Sequence, residues 1–212
     1  MNINKHLILL FSVLFFLFAV SVSSGCFRKN ESDVKSVVRN ELDQLKNLDS
    51  ETTQKYIPYT ELFPDATENT DLTDEINETF SLFFRKFNYK ISDVIVGTAN
   101  HSATVSVKLT TIDSKVLARD FKAELLRTQI TESAQAQKGN IKDSSRSLEA
   151  HYLILNHLLN TNDYDTAETD CNIQLVNTGN DKKEKWKIQR TNSLEDDLVG
   201  GLIADLADPD IL

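Results

Sequence analysis

The side chains that could do chemistry in this chain are few: two cysteines, four histidines, and carboxylates and tyrosines set among apolar stripes. His6 lies in the N-terminal apolar segment, which leaves His101, His151 and His157. Two metal ligands on one helix must be about three or four residues apart to share a face. His151 and His157 are six apart, roughly 240° around the axis at about 100° per residue, so they diverge. There is no His-Glu-x-x-His, Cys-x-x-Cys or calcium-loop spacing, no Gly-x-Ser-x-Gly elbow and no glycine-rich phosphate loop. Neither a metal nor a cofactor is expected. Proton transfer would fall to Tyr89, His101, Asp113 or Tyr164, the polar side chains placed to reach an interior between strands and helices. Each also has a structural role in prospect: Asp113 as a helix cap, Tyr89 and Tyr164 as sheet residues, His101 in a turn. Cys171 reads as a small buried hydrophobe on the strand Cys171-Asn172-Ile173-Gln174-Leu175.

Cys26 has a different context. Before it come a positively charged start ending in Lys5-His6, an apolar run from Leu7 to Val22 broken by Ser12 and Ser21, and the small residues Ser23-Ser24-Gly25. That order is the secretory pattern, and the run is shorter than the roughly 20 apolar residues of a spanning helix. The segment resembles a bacterial lipobox, with Ser23 where Leu is usual. The resemblance implies cleavage between Gly25 and Cys26 and a diacylglyceryl group on the Cys26 thiol, with palmitate-type acylation. Residues 1–25 are then a lipoprotein signal peptide, 26–32 a lipid-anchored tether and 33–212 one domain. The location implied is the outer, extracytoplasmic face of a cell membrane.

The 187 residues that remain after such cleavage suit one domain with a sizeable core. The chain carries −9, and Lys5 is the only charge the signal would remove, leaving about −10. So acidic a surface is repelled by an anionic membrane, which leaves the lipid as the anchor. It also excludes nucleic acid, whose binding needs Lys and Arg to displace counterions.

The elements that would position these side chains follow from apolar spacing. A helix capped by Ser32 or Asp33 carries Val34, Val37, Val38, Leu42, Leu45 and Leu48 on one stripe. A short helix from Ser50 ends before Pro58, and residues 58–69 read as a loop. Thr73 caps a helix whose face is Ile76, Phe80, Phe83, Phe84 and Phe87. The period then becomes two. Tyr89 and Ile91, an irregularity at Ser92-Asp93, then Val94 and Val96 pair through a turn at 97–100 with Ala103, Val105, Val107 and Leu109. Two helices follow, the first with Val116, Leu117, Phe121 and Leu125, the second with Leu148, Tyr152, Leu155 and Leu159. Strands at 164–176 and 185–190, joined by a turn at Thr178-Gly179-Asn180-Asp181, and a terminal helix at 193–206 complete the chain. Gly200-Gly201 reads as a break between two short helical pieces that pack on the sheet, with a close docking surface or a hinge for a partner as the alternative, and Glu195-Asp196-Asp197 as a first turn favoured by the helix dipole.

This order predicts an α+β fold: N-terminal helices packed on a curved, cone-like antiparallel sheet, a helical insert between the two hairpins, and a C-terminal helix. It resembles the nuclear transport factor 2-like (SnoaL-like, cystatin-related) fold, and in particular uncharacterised domains of that fold in small lipoproteins of Gram-positive bacteria. The carrying segments are Phe83 to Ile91, Ala103-Thr104-Val105-Ser106-Val107 and Trp186-Lys187-Ile188. The resemblance spans residues 33–190, and the long insert and the terminal helix depart from a minimal version of the fold. Together with the export signal and the absence of a catalytic set, it points to a non-catalytic module binding a small ligand or an envelope protein. Two alternatives stand beside it: an enzyme using an interior carboxylate in the cone cavity, and a structural component of a cell-envelope assembly.

Overall fold

The computed structural model describes residues 30–57, 62–64, 66, 73–97, 101–136, 147–179 and 185–211. The signal segment, Gly25, Cys26 and residues 98–100 of the turn at 97–100 lie outside these residues. Among the described residues there are seven helices and one curved, open antiparallel sheet of four strands, an α+β fold.

Helix α1 covers residues 30–46, and Val34, Val38, Leu42 and Leu45 are buried at its intervals of three and four. Residues 30–32 are already helical, so neither Ser32 nor Asp33 is its cap. The last position of the expected stripe also differs. The Leu48 amide donates to the Leu45 carbonyl at 3.0 Å and the Asp49 amide to the Gln44 carbonyl at 2.9 Å. That paired closure of a helix end requires a left-handed residue, and Leu48 supplies it at φ 63°. The chain therefore turns at Leu48 and leaves its side chain exposed. Because a β-carbon in this conformation costs roughly 1–2 kcal/mol, Leu48→Gly should raise stability by about 0.5–1 kcal/mol, read as a shift of the urea midpoint. An unchanged or lowered midpoint would show that the leucine is unstrained.

Asp49 caps α2 (Ser50–Tyr56), its carboxylate accepting from the Thr52 amide at 2.8 Å. Helix α3 (Thr73–Phe83) runs into a single 3-10 turn at Phe84–Lys86. Phe80, Phe83, Phe84 and Phe87 are all buried, as their spacing requires.

Strand β1 (Asn88–Val96) pairs with β2 (Ser102–Ile112), and the register shifts between Ile91 and Asp93, where the alternation breaks. Strand β3 (Thr166–Asn177) pairs with β2 over eleven residues, and the short β4 (Trp186–Ile188) closes the order β1-β2-β3-β4. Tyr164 sits before β3 and not within the sheet. One face of the sheet is core: Val105 lies opposite Ile173, Val107 opposite Cys171, Ala103 opposite Leu175, all buried. The other face is wet. Thr104 donates to Gln174 at 3.0 Å, Ser106 to Asn172 at 2.9 Å, and Lys108 pairs with Glu168 at 3.2 Å.

Between β2 and β3 stand α4 (Ser114–Ala136) and α5 (Leu148–Thr161), the latter capped by the Ser147 hydroxyl. The C-terminal helix is two pieces, α6 (Asn192–Leu198) and α7 (Leu202–Ala207), divided at Gly200-Gly201. Glu195 stands in the first turn of α6, as the dipole reading expects, and each member of the acidic run also has a partner elsewhere. Glu195 is buried against Arg190, Asp196 accepts the Ala204 amide at 3.1 Å, and Asp197 lies beside the Cys171 thiol.

Candidate functional site

The four side chains expected to share an interior do not meet. Tyr89 donates its hydroxyl to the Asp43 carboxylate at 2.6 Å, tying β1 to α1. Burial, with that bond second, pushes its phenol up to about 12. His101 is exposed just before β2, where its carbonyl accepts from Asn177 at 2.9 Å. Asp113 is the cap of α4 as expected, accepting the Lys115 and Val116 amides at 3.2 and 3.4 Å. The whole of β2 separates His101 from Asp113, roughly 35–40 Å at about 3.3 Å per residue.

Tyr164 does lie near Asp113, since the Asp113 amide donates to the Asp165 carbonyl at 2.9 Å. Its hydroxyl donates to Asp120 at 3.3 Å and accepts from Asn162 at 3.1 Å, and desolvation chiefly raises its pKa. It lines a polar pocket of about 240 Å³, where Lys86 is committed to the Asp163 carboxylate and the Tyr164 carbonyl at 2.5 Å each. The Asp163 side chain is 93 % exposed, so the pocket is an open surface recess. The inner face of the sheet, where the cone cavity was expected, is filled by Val105, Val107, Leu109, Ile173 and Leu175, each at most 2 % exposed.

Cys171 belongs to this filling. Burial pushes its thiol up to about 12, with the Asp197 carboxylate adding to the effect, which keeps it a neutral packing group.

A groove of about 440 Å³ lies elsewhere, between the segment at 62–66, α4, the start of α5, and α7. That size falls within the range of small-molecule sites. Its walls are Leu62, Phe63, Phe121, Leu125, Ile203 and Leu206, and its polar side chains are His151 and Lys122. The ring of His151 lies 4.9 Å from that of Phe63 and 5.7 Å from that of Phe121, and those two stack at 5.1 Å. His151 Nδ1 is 2.8 Å from the Ser147 carbonyl oxygen. A carbonyl can only accept, so Nδ1 carries a proton and donates it. Nε2 has no hydrogen-bond partner among the described residues. Lys122 is anchored by the Asp205 carbonyl at 3.0 Å and by the Asp208 carbonyl at the end of α7.

Spacing did not point to this groove. The divergence of His151 from His157 holds, with His157 exposed and His151 half-buried, but the relevant neighbours of His151 are rings from α4 and from a segment read only as loop. The available signal was Leu62-Phe63, an apolar pair inside a proline-containing loop, which marks a loop packed on the core. Among the described residues no group of three histidine, cysteine or carboxylate side chains is placed to hold a metal ion, and no helix is long and apolar enough to cross a membrane. Compared with family models, with characterised proteins and with solved structures, the chain matches none of them.

Proposed function

We propose that the protein is a lipid-anchored, extracytoplasmic binding module, tethered through a diacylglyceryl group on Cys26, whose ligand enters the groove beside His151. The groove carries this reading: an apolar cavity of ligand size in which the imidazole is held by a backbone carbonyl. A carboxylate holding Nδ1, with a hydroxyl or thiol at Nε2, would instead have favoured nucleophilic catalysis. The enzyme reading loses its expected place as well, since the interior of the sheet is packed with aliphatic side chains and Asp113 serves α4. A curved antiparallel sheet with one buried face in an α+β fold supports the nuclear transport factor 2-like resemblance as our reading of the fold's kinship.

Two measurements test the proposal. Cys26→Ala should remain unprocessed or leave the membrane fraction, and a variant that is processed and retained like the parent would remove the lipid anchor from it. A photoreactive medium-chain amphiphile should label the membrane-tethered protein at peptides containing Phe63, Leu125 and Leu206 in saturable fashion. Labelling spread evenly over the surface would remove the groove.

A further inference from the structure

Resting on the groove as the binding site, we propose that its ligand class is an amphiphilic monocarboxylate, with the alkyl chain on the apolar walls and the carboxylate between His151 and Lys122. The argument is one of complementarity. Among the described residues, the groove's ionisable side chains are an imidazole and an ammonium, with no carboxylate lining it. A neutral hydrocarbon would leave His151 Nε2 and the third proton of Lys122 facing apolar matter. A cationic amphiphile would meet like charge from Lys122. An anionic head satisfies both.

The hydrogen-bonding geometry narrows the head further. The bond from His151 Nδ1 to the Ser147 carbonyl, together with the flanking Phe63 and Phe121 rings, fixes the imidazole plane. Nε2 is left as its one open position. A carboxyl group bonds there in either proton distribution: imidazolium donating to carboxylate, or carboxylic acid donating to neutral Nε2. Lys122 already gives two of its three protons to the Asp205 and Asp208 carbonyls, so one remains for a ligand oxygen. One position on each side chain matches the two oxygens of a carboxylate, whereas a phosphate monoester has three terminal oxygens to satisfy.

The open Nε2 also supplies the readout. In the membrane-tethered full protein, diethylpyrocarbonate should modify His151, with exposed His157 on the same helix as an internal reference. Octanoate should protect His151 and not His157, at a concentration about tenfold below that needed by 1-octanol, as a charge-assisted hydrogen bond implies. Lys122→Met should raise the octanoate requirement about tenfold, and an unchanged requirement would overturn Lys122 as a partner of the carboxylate. Equal protection by octanoate and octanol would overturn the carboxylate while leaving a groove that binds. Stronger protection by octyl phosphate would overturn it in favour of a larger anion. Protection by none of the three would remove both the ligand class and the binding site it rests on.

Discussion

Phe84→Ala is expected to lower the free energy of unfolding by about 3–5 kcal/mol, the largest effect we anticipate for a single side chain here. Phe84 is 1 % exposed and opens the 3-10 turn that redirects the chain from α3 into β1. Its ring meets Phe83 at 5.5 Å and Phe87 at 5.3 Å, both edge-on, and Phe80 at 6.3 Å. Truncation forfeits the transfer free energy of the ring and leaves a cavity among aromatic neighbours on three sides. Those neighbours belong to one stretch of backbone, so they cannot all move in to fill it. Phe84→Leu should cost less, since most of the volume remains. Urea unfolding of the two variants checks the order, and a loss below about 1.5 kcal/mol for the alanine would mean that the cluster collapses around the gap.

Gly200→Ala should cost about 2–4 kcal/mol, through two causes that can be separated. Gly200 has φ 67°, a conformation in which a β-carbon costs roughly 1–2 kcal/mol. An added β-carbon would also lie 2.2 Å from the Thr111 hydroxyl oxygen. Thr111 is 1 % exposed at the end of β2, so relief requires movement of packed backbone, at about 1–3 kcal/mol. The double variant Gly200→Ala with Thr111→Ala should recover much of the steric share and none of the backbone share. A double-mutant cycle therefore gives a coupling of about 1 kcal/mol or more, and strict additivity would show that Thr111 is not the obstacle.

Where a feature depends on neighbours in sequence, the residues announced it. The four phenylalanines at intervals of three and four are all buried. The break at Ser92-Asp93 is a register shift, and Asp113 is a helix cap. Where a feature depends on what comes to meet a residue, they did not. Leu48 fits the α1 stripe by spacing, but the helix closes with a left-handed turn at that position. The acidic residues of α6 suit a helix dipole, yet the Arg190 guanidinium, the α7 amide and the Cys171 thiol are their partners.

Apolar periodicity by itself determined the α+β class, the order of helices and strands and the polarity of the two sheet faces, because a side chain's direction on a helix or strand is set by backbone geometry within a few residues. The same local rules split the C-terminal helix at Gly200-Gly201. Tertiary structure alone decided which polar groups share a space. It set His101 and Asp113 at opposite ends of β2, filled the inner sheet face, and brought Phe63, Phe121, Lys122 and His151 from three separate segments to one groove. Such convergence is a property of how elements pack, and no spacing along one element encodes it.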